Sequence, residues 1–196
     1  MNSTQIFTTA LGLESPWQIR EIRFETLVME NRELHIYLDF EHGYKFTSRT
    51  GEQTVAYDTE EKQWQHLNFF QHRCYLHARV PRLKDAEGKV YRMEVPWARS
   101  GSGFTLLFEA YAMLLIESEM PVCRVAENLS VTQPRIWRVF DYWLEKAVSE
   151  DDLSKVTRVG VDETSRKKGH EYITQFVDLE EHRTIFVTEG KDSGTV

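Results

Sequence analysis

The chain has 196 residues, with 24 Lys plus Arg against 31 Asp plus Glu, a formal net charge of −7 and 41% hydrophobic residues. Its 12% aromatic content with only 10 Gly and 5 Pro lets it bury cores, which excludes extended disorder, a collagen-like repeat and a fibrous coil. The charge is unevenly spread: residues 1–61 carry −6, residues 62–103 carry +5, residues 104–153 carry −5 and residues 154–196 carry −1. The basic block suits either an anion-binding surface or a solvated strand face.

Cys74 and Cys123 lie far apart and match no metal spacing, as expected of a reducing cytoplasm. The N-terminal stretch lacks a charged start followed by an apolar core, and no segment approaches the roughly 20 apolar residues of a membrane span. The sequence therefore predicts a cytoplasmic protein without a membrane partner.

In chain order, Gln18–Glu25 is a weak strand candidate, and Glu33–Phe40 alternates cleanly, with Leu34, Ile36, Leu38 and Phe40 on one side. Trp64–Phe70 is a second weak candidate. Arg73–Val80 sends Cys74, Leu76, Ala78 and Val80 inward and Arg73, Tyr75, His77 and Arg79 outward. After Ser100-Gly101-Ser102-Gly103 the period becomes helical, over Phe104–Glu117, Val122–Asn128 and Gln133–Val148. From Ser154 it returns to two in Val156–Asp162, Glu171–Asp178 and Arg183–Thr188, a meander joined through Thr164–Gly169 and Leu179–Glu181. The expected class is α+β, with a small mostly-β domain at residues 1–100, a three-helix domain at 101–150 and a β-meander at 151–196.

Three constellations carry possible chemistry. Val122–Asp141, VCRVAENLSVTQPRIWRVFD, has the apolar positions of a helix-turn-helix. Ala126 would lie at the helix crossing, with Val125, Leu129, Val131, Ile136 and Val139 buried. Thr132 is a candidate N-cap and Pro134 falls in the first turn, while Ser130 stands where such turns usually place Gly. Thr132, Gln133, Arg135, Trp137 and Arg138 then lie on or near the exposed start of a recognition helix, where Gln and Arg can contact base edges or phosphate. A purely structural helical hairpin is the alternative.

Second, Arg79, Arg82, Lys84, Lys89, Arg92 and Arg99, with Tyr75, Tyr91 and Trp97 nearby, could grip a phosphate backbone. Arg79, Arg82 and Arg99 are the candidates there, and Trp97 is expected in the core. Third, TRVGVDET at 157–164 delivers Asp162 near the centre or end of an apolar strand. A carboxylate so placed begins a two-metal nuclease site, or simply closes a strand into a turn.

The segments YDTEEKQWQHLNFFQHRCYLHARVPRL (57–83), VPWARSGSGFTLLFEA (95–110), the helix-turn-helix and VGVDETSRKKGHEYITQFVDLEEHRTIFVTEGKD (159–192) together resemble the N-terminal portion of bacterial transposases of the ISL-three insertion-sequence family. The resemblance implies a small zinc-binding β domain, a helix-turn-helix domain and a ribonuclease-H-like catalytic domain with an acidic triad and magnesium. Asp162 corresponds to the first acidic residue of that triad. It implies double-stranded DNA at transposon terminal inverted repeats as the partner; a homodimer is a further expectation, which the sequence itself does not derive.

Two departures modify the expectation. The four positions of the family's zinc ligands hold Thr47, Thr50, Asp85 and Gly88 here, a set that cannot supply thiolates and imidazole; no zinc is expected, and the N-terminal domain is zinc-ribbon-like without its ligands. The second and third acidic residues of the triad are also not found, and Asp178 ends a strand. One carboxylate cannot hold two metals, so magnesium belongs to an intact family member, and this chain is expected to be a truncated, DNA-binding form that does not cut or join DNA. The alternative is a domesticated or decaying fragment acting as a protein-interaction or regulatory module.

Overall fold

The structure is a computed structural model describing residues 3–26, 32–167 and 171–190. It is α+β, and it divides into two compact units, Met1–Asp141 and Tyr142–Val196. Among the described residues no helix is long and apolar enough to cross a membrane.

The first unit begins with helix α1 (Ser3–Ala10), followed by β1 (Trp17–Thr26) and β2 (Arg32–Phe40). A short hairpin, β3 (Lys45–Thr47) with β4 (Gln53–Val55), precedes β5 (Asp58–Phe69), β6 (His72–Lys84) and β7 (Val90–Arg92). The main sheet runs β1-β2-β6-β5, with β7 on the end of β6. All pairings are antiparallel except β2 with β6, which is parallel and sets Leu34 beside Cys74, Ile36 beside Leu76 and Leu38 beside Ala78.

That register puts the apolar alternation of both strands on one face. Leu34, Ile36, Leu76 and Val80 are essentially inaccessible there. Trp97 joins the same core, with its ring 4.7 Å from Trp17 and 5.7 Å from Trp64, both edge-to-face. The outer face carries a His35–His77 ring nitrogen contact of 2.8 Å, flanked by stacked Tyr37 and Tyr75.

The turns around Thr50 and Asp85 are closed by side-chain hydrogen bonds. Ser48 Oγ accepts from the Glu52 N–H at 3.1 Å and contacts Thr50 Oγ1 at 2.8 Å. Asp85 Oδ1 accepts from the N–H groups of Glu87 and Lys89 at 3.1 and 2.8 Å. The Arg49 guanidinium lies 4.4 Å over the Tyr91 ring, and the Arg49 N–H donates to the Tyr91 hydroxyl at 3.0 Å.

Three helices follow: α2 (Leu106–Glu117), α3 (Val122–Asn128) and α4 (Gln133–Glu150). Helix α2 starts two residues later than its apolar spacing predicts, because Thr105 is extended (φ −75°, ψ 156°) and caps it, its hydroxyl accepting from the Phe108 N–H. The loop before it is tied to the sheet, since Gln65 N–H donates to Gly103 O at 2.9 Å and Thr105 N–H to Gln65 O at 3.1 Å.

The second unit takes the last turns of α4, a 3-10 turn at Leu153–Lys155, and an antiparallel sheet in the order β10-β9-β8 from β8 (Val159–Lys167), β9 (Glu171–Asp178) and β10 (Arg183–Glu189). The first strand is displaced from the predicted Val156–Asp162. Asp152 accepts from the Ser154 N–H and winds residues 153–155 into the 3-10 turn, so pairing starts at Val159. Thr164–Lys167, expected in a connection, continue the strand, and residues 168 and 169 of that connection lie outside the described residues.

Candidate nucleic-acid interface

The helical segment is organised by burial. Val125, Ala126, Leu129, Ile136 and Val139 are 0–6% exposed, with the small Ala126 where a helix-turn-helix requires a small residue. Ser130 adopts φ +55° in the turn, the left-handed region that Gly occupies without strain. On the solvent side, Thr132, Gln133 and Arg138 are exposed and Trp137 is 47% exposed.

The first turns of α4 divide into two polar faces. At about 100° per residue, Gln133 and Trp137 share one face, while Arg135 lies about 200° from both. Arg135 is half-buried: its guanidinium carbon sits 4.1 Å from the centre of the Phe104 ring, which stacks on Phe108 at 4.3 Å. Its Nη1 also lies 3.5 Å from Gln65 Oε1. Burial pulls the Arg135 guanidinium below its ordinary range, with Tyr75 opposing and Arg138 adding to the effect. Sequence periodicity placed Arg135 on the helix start but could not show that Phe104, from the preceding loop, would pack against its guanidinium.

The basic block is largely matched by carboxylates from neighbouring strands. Arg79 pairs with Asp39 at 3.2 Å, Arg82 makes a two-point pair with Asp58 at 2.6 and 2.5 Å, and Arg92 meets Glu60 at 3.4 Å. Arg99 donates from Nε to Glu109 at 2.8 Å, and the Ser102 hydroxyl donates to the other oxygen of the same carboxylate at 2.5 Å. The Glu109 side chain is 0% exposed and that of Arg99 18%. Arg99 thereby helps hold residues 99–102 against α2, a task the sequence did not reveal because the partner is one helical turn inside an apolar segment.

Asp162 stands in mid-strand opposite Gln175, exposed, accepting from Gln175 Nε2 at 3.1 Å and facing the Thr164 hydroxyl at 3.4 Å. Asp178 is buried and caps the next turn by accepting from the N–H groups of Glu180 and Glu181 at 2.9 and 3.3 Å. Among the described residues no three His, Cys, Asp or Glu side chains gather as metal ligands. Asp162 by itself offers one carboxylate, fewer than a two-metal centre takes.

Comparison with known proteins bears on these segments. Residues 93–144 match the family model described as the helix-turn-helix domain of transposase family ISL3, and residues 159–196 match the model described as transposase. The whole chain is 26% identical to the transposase for insertion sequence element IS1557 of Mycobacterium tuberculosis strain CDC 1551 / Oshkosh, and equally to that of strain ATCC 25618 / H37Rv. The alignment covers 100% of this chain and 45% of each relative, so the chain spans under half the length of these proteins. No solved structure matches.

Proposed function

We propose that this chain, which is related to the ISL3 family of insertion-sequence transposases, serves in DNA transposition by binding double-stranded DNA at the terminal inverted repeats of its element. The observation that carries the reading is the division of α4 into a buried seam, Ile136 and Val139, and an exposed row, Thr132, Gln133 and Trp137. The seam buries one side of the helix, and the row is left free for the major groove, where the Gln133 amide can make a two-point contact with adenine. Arg138, about 100° from Trp137, adds positive charge on the adjoining face, and Arg135 lies about 60° further round. Arg79 and Arg82 offer further backbone contacts, weakened by Asp39 and Asp58, whereas Arg99 acts mainly through its bond to Glu109.

In this reading residues 1–100 form a zinc-ribbon-like module without zinc ligands, residues 101–150 the helix-turn-helix domain, and residues 151–196 the first strands of a ribonuclease-H-like domain. Asp162 is the carboxylate that such a domain would turn toward magnesium. Recognition, and not strand transfer, is the task assigned to the described residues.

The test is fluorescence anisotropy on a duplex carrying the terminal repeat and on a scrambled duplex, at two salt concentrations. Preference for the repeat, weakened by salt and lost in Gln133→Ala or Trp137→Ala, supports the proposal. Equal affinity for both duplexes would overturn it.

A further inference from the structure

Between the start of α4 and the loop before α2 lies a cleft of about 250 Å³, bounded by Arg99, Gly101, Gly103, Phe104, Arg135 and Arg138. Its charge is unusual for this chain. Arg73, Arg79, Arg82, Arg92 and Arg99 each face a carboxylate, and Arg99 is matched here by buried Glu109. Arg135 and Arg138, one helical turn apart, have no carboxylate partner among the described residues. The cleft therefore holds about two uncompensated positive charges, one of them fixed by stacking on Phe104.

The opposite wall is glycine. The N–H groups of Gly101 and Gly103 donate to no protein acceptor among the described residues. Gly101 has φ +79°, and a Cβ on Gly103 would already lie 3.6 Å from the Arg135 Nη2 atom. Planar guanidinium donors beside unpaired backbone N–H groups, with room for one group, suit a tetrahedral oxyanion.

We propose that this cleft seats one phosphodiester of the DNA backbone, so that Arg135 and Arg138 anchor the helix while Gln133 and Trp137 read the groove. The inference rests on the DNA-binding reading above and assigns Arg135 a duty different from base contact. A backbone anchor weakens binding uniformly across sequences and lowers the salt dependence by about one ion, whereas loss of a base reader relaxes specificity at one position.

The experiment uses the full chain and a duplex selected from a random pool by the wild-type protein. Affinity is measured as a function of salt for wild type, Arg135→Gln, Arg138→Gln and Arg124→Gln, the last on exposed α3 and paired with Glu127. Thermal melts confirm that each variant is folded. Arg135→Gln and Arg138→Gln should each lose about tenfold affinity on selected and scrambled duplexes alike, with the log–log salt slope shallower by about one. Arg124→Gln should keep the wild-type slope. A set of duplexes with single methylphosphonate linkages should contain one position that weakens wild type but not Arg135→Gln.

Loss of preference at one base pair with an unchanged slope would make Arg135 a base reader and overturn the inference. Stabilisation of wild type, but not Arg135→Gln, by inorganic phosphate with no change in DNA salt slope would make the cleft a free-anion site and also overturn it. If the random pool yields no selected duplex at all, the failure is that of the DNA-binding reading itself.

Discussion

Glu109→Ala is the most informative single perturbation. The Glu109 carboxylate is fully buried on α2 and receives the Arg99 Nε–H at 2.8 Å and the Ser102 hydroxyl at 2.5 Å. A hydrogen bond to a charged group contributes about 1.5–3 kcal/mol, and removing one partner of a buried ion pair costs about 3–5 kcal/mol. Arg99 keeps 18% of its side-chain exposure, so water recovers part of its solvation and the lower end applies, about 3 kcal/mol. For a unit the size of residues 1–141, that corresponds to a fall of about 10 °C in melting temperature. Urea unfolding followed by tryptophan fluorescence reports it through Trp64 and Trp97 in the adjoining core. Glu109→Gln, which keeps the volume and one acceptor, should lose about half as much. The double variant Arg99→Ala/Glu109→Ala should lose less than the two single losses added together, because no unpaired charge remains. A Glu109→Ala protein within about 0.5 kcal/mol of wild type would refute the reasoning.

Ser130→Gly should stabilise the helix-turn-helix by about 1 kcal/mol, since φ +55° strains Ser and not Gly; an unchanged urea midpoint would contradict this. Ala126→Leu, at a site 2% exposed on α3, should destabilise by about 1–3 kcal/mol through overpacking and weaken DNA binding in parallel. His66 is half-buried beside Thr105 Oγ1 at 2.8 Å, and its partial burial lowers its pKa from 6.5 to about 4. The unfolded chain therefore takes up the proton first. Stability is fully present above about pH 6.5 and falls as the pH drops toward 4, by up to about 3 kcal/mol. The urea midpoint of His66→Gln should lack that part of the acid slope, and parallel pH profiles for variant and wild type would rule the argument out.

What the sequence disclosed follows from the range of the interactions involved. Alternation in Leu34–Phe40 and Cys74–Val80 revealed two core strands because burial acts on every second residue locally. The buried seam Val125, Ala126, Leu129, Ile136 and Val139 was equally visible in spacing alone. Three features were hidden, each set by partners distant in the chain. The parallel pairing of β2 with β6 depends on β1 and β5 occupying the outer places. The pairing of Arg79 with Asp39 and Arg82 with Asp58 depends on that register, so a +5 block in the sequence became a mostly neutralised surface. Arg135 turned toward Phe104, 31 positions away, and so is half-buried where the sequence placed it at the exposed start of the helix. The hairpin β3–β4 and helix α1 were missed for lack of strong periodicity in such short segments.

The parallel contact between β2 and β6 also orders events during synthesis. The β1–β2 hairpin can form once residue 40 has emerged, but Leu34, Ile36 and Leu38 find their neighbours Cys74, Leu76 and Ala78 only after β6 is made. At roughly 5–20 residues per second the nascent chain carries that edge uncovered for about 2–9 s. An apolar strand edge held open for this long invites pairing with another chain. The antiparallel β5–β6 hairpin, whose strands are joined by a tight turn, forms fastest on emergence and closes the edge by adding as a unit. Slowing translation between residues 40 and 84 should therefore raise aggregation of the nascent chain without altering the stability of the finished protein.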